Sequence, residues 1–277
     1  KAAAPPRTPV RRPFVIQPTD SIDIPFAPPM THRVRMVEGL FTAPAGAAVL
    51  RDLLTPDASP SRVLVVVDSG VASPALLASV RSSLAALPGL DASAAPLVLP
   101  GGEVVKNQPA HLQHLLQAIH DARLCRKSYL LAIGGGALLD VPGYAAATAH
   151  RGVRLVRVPT TTLSQDDSCV AVKCGVNAFG KKNYLGVFVA PWGVVLDPTL
   201  LATLSDRDWR SGFSEAVKVG LVKDAALFRA IAASAPAIAA RDMAVAWPII
   251  RRSAEIHLRH ITDGGDPFEL TAARPLD

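Results

Sequence analysis

Aromatic residues are scarce in this chain, 5% of 277 positions, and that scarcity argues against the stacking platforms that hold single-stranded nucleic acids. Cysteine is scarcer still. Cys125, Cys169 and Cys174 make no disulfide framework and no Cys-x-x-Cys pair, which points to a reducing, cytoplasmic setting. Cys169 and Cys174 have no histidine near them in sequence and read as small packing residues. No apolar run reaches the roughly 20 residues of a membrane span, so no membrane partner is expected. Residues 1–9 are rich in Ala and Pro and lack the apolar core of a signal peptide. Charged residues make up 19%, below the usual quarter, while 49% are hydrophobic, enough for a sizeable core. The net charge is +6, with 21 Arg to 8 Lys and no dense basic run, a balance that suits a small anion at least as well as a nucleic acid.

Residues 12–37 alternate apolar and polar positions, as in Phe14-Val15-Ile16 and Val34-Arg35-Met36-Val37, and predict short antiparallel strands. From residue 61 the pattern changes. Arg62-Val63-Leu64-Val65-Val66-Val67 is a continuous β-branched run of the kind buried on both faces. Helical spacing follows over 73–87 and 107–123, with strands at 96–99, 128–133 and 154–158 and a further helix over 137–150. This alternation predicts a parallel, Rossmann-like sheet covered by helices. Beyond residue 198 the spacing is helical, over 206–222 and 244–260, until Gly264-Gly265-Asp266-Pro267 breaks it. The organisation expected is a disordered segment over 1–11, an α/β domain over 12–190, and a mainly helical domain over 191–277 that is cut short. The chain begins without Met and stops at Arg274-Pro275-Leu276-Asp277, as a piece of something longer would.

The densest polar run spans residues 160–183 and reads as a loop. It offers hydroxyls, the carboxylate of Asp167, the ammoniums of Lys173 and Lys182, and the amide of Asn183 to a small, anionic, polyhydroxylated ligand. Ile133-Gly134-Gly135-Gly136-Ala137-Leu138-Leu139-Asp140 ends a buried strand and opens a helix, where glycines serve either a tight turn or a pyrophosphate. Asp68 ends the first buried strand, a place where a carboxylate can hold a ribose hydroxyl. Pro100-Gly101-Gly102-Glu103-Val104-Val105-Lys106 follows the next strand. Glu215 and Lys218 share a helix face at i and i+3, as a surface ion pair or as a pair facing a cleft. Glu255, His257 and His260 suggest a metal site, but Arg251, Arg252 and Arg259 crowd them, so a solvated helix face is expected there.

Six ordered segments, Gly-Gly-Glu-x-x-Lys, Gly-Gly-Gly-x-x-x-Asp, Pro-Thr-Thr, Asp-Ser-x-Val-x-x-Lys-x-Gly-Val-Asn, Gly-Lys-Lys-Asn and Glu-Ala-Val-Lys, resemble the 3-dehydroquinate synthase family of sugar phosphate cyclases. The resemblance implies an α/β domain binding NAD, a helical domain holding a divalent metal (zinc or cobalt), and a lyase reaction of the shikimate pathway in the cleft between. In that reaction NAD transiently oxidises a ring hydroxyl, phosphate is eliminated, and an intramolecular aldol step closes a carbocycle. By position, Asp68, Glu103, Lys106, Gly135, Gly136, Asp140, Thr160, Thr161, Lys173, Lys182 and Thr203 would contact NAD. Asp167, Lys173, Lys182, Asn183 and Lys218 would serve the substrate, and Glu215 would be the first of three metal ligands. Arg151 matches an arginine that family homodimers donate across their interface.

The chain departs from the family at Ser168-Cys169-Val170-Ala171-Val172-Lys173-Cys174, where the usual loop has two glycines in place of Ala171 and Val172. For the substrate carboxylate only Arg259 and, out of register, Arg274 are at hand. The resemblance therefore implies a heptulosonate 7-phosphate as substrate, with sedoheptulose 7-phosphate, as in valiolone synthases, the alternative. A metal-dependent polyol dehydrogenase and a shortened, inactive NAD-binding homologue are further alternatives. Pro275-Leu276-Asp277 resembles the lead-in to the family's two histidine ligands, so the chain as written is expected to keep one metal ligand, bind metal poorly and not catalyse cyclisation.

Overall fold

In the computed structural model, Ile24, residues 30–56 and residues 59–263 are described. The strands expected over 14–16, the segment 1–11, the Gly264 break and the Arg274–Asp277 tail lie outside them. From Thr31 onward the described residues form one compact unit.

Its centre is a parallel sheet. β2 (Ser61–Asp68) pairs with β5 (Tyr129–Gly134), β5 with β6 (Arg154–Pro159), β6 with β9 (Gly193–Leu196), and β9 with β1 (Val34–Met36). On its other edge β2 takes β3 (Leu90–Asp91) near its start and β4 (Leu97–Leu99) near its end. The α/β reading with a parallel sheet holds. Two details are corrected. β1 is parallel, because it pairs with β9 from far along the chain and not with a hairpin neighbour. β9 also belongs to this sheet, so the sheet reaches past residue 190.

The β-branched run earns its place by burial on both faces. Val63, Val65, Val67, Leu131 and Ile133 point to one side, against α1 (Pro44–Leu54) and α2 (Pro74–Ala85). Leu64, Val66, Leu130 and Ala132 point to the other. That face is covered by α3 (Val104–Asn107), α4 (Pro109–Asp121) and α5 (Gly136–Thr148). Ser73 caps α2, its hydroxyl accepting from the Leu76 amide at 3.2 Å with Pro74 in the first turn.

The helical part has its own core, built from Trp209, Phe213, Leu227, Ile231, Ile249 and Ile250. It comprises α6 (Asp206–Lys223), α7 (Ala225–Ala239) and α8 (Met243–Thr262), capped by Ser205, Asp224 and Asp242. Trp209 sends its indole N–H to the Ile238 carbonyl at 2.7 Å, satisfying the one polar group of a fully buried side chain. Among the described residues, no helix is long and apolar enough to cross a membrane.

The run over 160–183 is corrected most. It folds into a π-helical turn over Ser164–Ser168 and an antiparallel hairpin, β7 (Lys173–Ala178) with β8 (Lys181–Phe188). β8 is exposed along nearly its whole length, so its polar sequence gave no burial pattern to read.

Leu131, fully buried on β5, tests the sheet core. Leu131→Ala is expected to cost about 3 kcal/mol of stability, measured as a lower urea midpoint with an unchanged slope.

Candidate active site

The chain leaves β2 for β4 on one side and returns to β5 on the other. At such a switch point the loops diverge beyond the strand ends and leave a crevice. Asp68 stands there, 9% exposed, with Oδ1 accepting from the Gly70 amide at 2.8 Å. Two backbones crowd it: a Cβ on Gly101 would lie 2.3 Å from Asp68 Oδ1, and one on Gly134 would lie 2.8 Å from Asp68 Cβ. α5 begins with Gly135 as its N-cap, without a side-chain cap and without an acid in its first turn. Its first amides therefore keep the partial positive charge that suits an anion. A carboxylate beside a bare, glycine-walled helix start fits a dinucleotide such as NAD.

The second half of the site is assembled around the π-helical turn. A Cβ on Gly212 would fall 2.4 Å from Thr162 Cβ, so only glycine lets α6 run this close to the chain entering the turn. One helical turn further on, Glu215 comes to the same place. α8 packs on the turn from another side, and His257 sets Nδ1 against Oδ1 of Asp167. Between the turn, α8 and the hairpin lies a cleft of about 600 Å³, lined among others by Asp140, Asp167, Lys173, Asn183, Phe188 and His257.

Lys106 joins the two halves. Its ammonium, 5% exposed, donates to Asp140 Oδ2 at 2.6 Å and to Asn183 Oδ1. Asn177 adds a second tie: its Nδ2 donates to Glu103 Oε1 and Asn107 Oδ1, both at 2.7 Å, and its Oδ1 accepts from the Asn183 amide at 2.8 Å. Asn183 itself has φ of 52°, a left-handed conformation that this bond to its amide helps to hold.

Acids gather opposite. Asp166 is fully buried, and neither of its oxygens forms a well-shaped hydrogen bond. Burial, reinforced by Asp167 and Glu215, pushes its carboxyl well above the usual range. Burial also raises Glu215, again with Asp167 beside it, while Lys218 at 2.5 Å opposes the shift. Asp140 is raised by burial against the pull of Lys106.

Of the residues picked out from sequence, Asp140, Asp167, Lys173 and Asn183 meet in the cleft, Lys106 is tied to two of them, Glu103 holds Asn177 of the hairpin, and Glu215 pairs with Lys218. Asp68, Gly135 and Gly136 stand at the strand ends. Thr160 is buried, and Thr161 exchanges a hydrogen bond with the Ser164 hydroxyl at 2.7 Å. Lys182, Thr203 and Arg151 are exposed and do not line the cleft. The solvated face expected for α8 is corrected at His257, whose side chain is only 11% exposed. Its signal was the helical spacing that it shares with buried Ser253, Ala254 and Ile261. Glu255 does pair outward, with Arg251 at 2.8 Å, and His260 Nδ1 meets Lys223 Nζ at 3.0 Å. Asp166 and Asn177 were also passed over, although both lie inside the polar run. Among the described residues no three His, Cys, Asp or Glu side chains gather to hold a metal, so the described set offers Glu215 without completing a site.

Residues 96–211 match the family model for the N-terminal part of 3-dehydroquinate synthase. The chain is 41% identical over 208 residues to a 3-dehydroquinate synthase from Ruegeria sp. (strain TM1040), covering 74% of this chain and 54% of that one. It is 40% identical over 240 residues to one from Ruegeria pomeroyi, covering 85% and 62%. It thus spans between half and two thirds of the length of these relatives. Among solved structures it resembles 2-epi-5-epi-valiolone synthase from Streptomyces hygroscopicus subsp. jinggangensis 5008, a structure with NAD+ and Zn2+ bound. The TM-score is 0.76 and the identity 27%, over 90% of this chain and 66% of that one.

Two tests follow from the site's packing. Asn177→Ala leaves Glu103, Asn107 and the Asn183 amide without their shared partner and is expected to cost about 2 kcal/mol, read by urea unfolding. Cys125 is exposed and its thiol is lowered by the Ser128 hydroxyl, whereas burial pushes Cys174 up to about 11 and raises Cys169 further. An aromatic disulfide reagent at neutral pH should therefore label Cys125 alone until the protein is unfolded; labelling of Cys169 or Cys174 in the native protein would contradict the packing.

Proposed function

Because this chain belongs to the 3-dehydroquinate synthase family of sugar phosphate cyclases, we propose that it binds NAD along the strand ends and a sugar phosphate in the adjoining cleft, in the service of a phosphate-eliminating cyclisation. The observation that carries this reading is the reach of Lys106 to both Asp140 and Asn183, which couples the dinucleotide side to the cleft through one buried cation.

Asp68 would accept a ribose hydroxyl, and the uncapped start of α5 would take the pyrophosphate. Bound NAD supplies the transient hydride acceptor that such a reaction needs. Lys173 and Asn183 would hold the phosphate, with the ammonium offsetting the charge of the departing group. Asp167 would accept a hydrogen bond from a substrate hydroxyl, and the Nδ1–H of His257, set against the same carboxylate, would hold it in orientation. Glu103 and Asn177 keep the hairpin, and with it Asn183, in place. Glu215 is the side chain offered toward the family's divalent metal. The described residues do not complete that site. Arg151, exposed in the turn after α5, is assigned to a second copy's cleft in a homodimer.

The substrate first in line is a heptulosonate 7-phosphate. The likeness to valiolone synthase, together with Ala171 and Val172 in the segment before Lys173, favours a second reading in which the sugar is sedoheptulose 7-phosphate.

Equilibrium dialysis of the full chain against NAD, and separately against inorganic phosphate, tests both halves. Asp68→Ala is expected to weaken NAD about tenfold and leave phosphate unchanged, while Lys173→Gln does the reverse; about tenfold corresponds to one lost charge-assisted or bidentate contact. Phosphate release from each candidate sugar by the full-length protein then selects between the two substrates. Failure of the chain to bind NAD would end the reading.

A further inference from the structure

Arg157 sits on β6 between Val156 and Val158 and is 1% exposed. A guanidinium carries five N–H donors and cannot shed its charge, so burying it demands acceptors. Among the described residues no carboxylate comes within ion-pair distance of it. It turns instead to one segment of backbone: Nη1 donates to the carbonyls of Cys169 at 3.1 Å and Ala171 at 2.8 Å, and Nη2 to that of Lys173 at 3.3 Å. The carbonyls in between are held from elsewhere. His32 Nε2 donates to Val170 at 2.7 Å, and the Val189 amide donates to Val172 at 2.7 Å. Every carbonyl from Cys169 to Lys173 is thus fixed, three of the five by a single charged fork.

The acceptors it takes are alternate carbonyls of one stretch, the segment that leads into β7 at Lys173. This stretch also buries Ala171 and Val172, and it delivers Lys173 to the cleft. Hydrogen bonds from a charged donor are roughly twice as strong as neutral ones, so Arg157 has the strongest hold on the segment.

We infer that Arg157 is a positioning residue for phosphate binding: by holding the Cys169, Ala171 and Lys173 carbonyls it sets the backbone from which the Lys173 ammonium enters the cleft. The inference rests on the reading of Lys173 as the phosphate-binding residue.

The test is a double-mutant cycle on the full chain, with binding of inorganic phosphate and of NAD measured separately. Arg157→Lys keeps the charge but loses the fork. It is expected to weaken phosphate about tenfold while changing NAD affinity less than about twofold. In combination with Lys173→Gln it should add no further loss, because a residue acting through Lys173 has nothing left to act on. Full additivity of the two losses, or unchanged phosphate binding in Arg157→Lys, overturns the inference. If Lys173→Gln itself leaves phosphate binding intact, the assignment of Lys173 fails first, and the inference falls with it. Arg157→Gln provides the same measurement should Arg157→Lys not fold. If neither variant yields folded protein that binds NAD, Arg157 is a core residue and the inference is wrong.

Discussion

A buried ammonium holds this molecule's site together. Lys106 is almost wholly removed from water, and taking a charge of that size out of solvent costs several kcal/mol unless its donors are met. Asp140 and Asn183 meet two of the three, one from the helix that starts at the glycine-rich strand end, the other from the hairpin. The sheet and α5 could form without this contact. β7 is seated by its own buried Cys174 and Val176, whereas β8 has almost no buried surface and is tied down by this contact and its companion at Asn177. Along β8 the usual source of order, apolar burial, is missing, and directional polar contacts take over.

Two kinds of legibility follow from that division. The parallel sheet was legible because strands buried on both faces must be apolar throughout, and Val63 to Val67 could hardly be anything else. The glycine-rich strand end and the position of Asp68 were legible from that sheet, since ligand crevices open at the C-terminal strand ends. The hairpin and the π-helical turn were not legible. Their residues are chosen for contacts with distant partners, such as Asn177 with Glu103 and Asn183 with Lys106, and no local periodicity records a partner some seventy positions away.

His257 and Arg157 show the same limit from opposite directions. Three arginines near His257 suggested a solvated surface, yet they project from other faces of α8, and the helical spacing that includes Ser253, Ala254 and Ile261 carries His257 inward to Asp167. Arg157 interrupts the otherwise apolar tail of β6, a charge where burial was expected. The conflict is resolved by carbonyls that only the fold brings within reach. In both cases the charge pattern of the sequence and the fold disagree at the candidate site, where such disagreement is most expected.

The electrostatic plan of the cleft explains why these exceptions are tolerated. Asp166, Asp167 and Glu215 lie together, and burial, reinforced by their mutual repulsion, lifts Asp166 and Glu215 above the usual carboxylate range. Lys173 lines the same cleft, while the buried charges of Lys106 and Arg157 are met by Asp140 and Asn183 and by backbone carbonyls. An apolar ligand would leave Lys173 and the acids poorly solvated. A ligand with an anionic end and a hydroxylated end would satisfy both at once, the phosphate toward Lys173 and the hydroxyls toward the acids. In the proposed function such a ligand would set its phosphate beside Lys173, where charge must develop as phosphate departs.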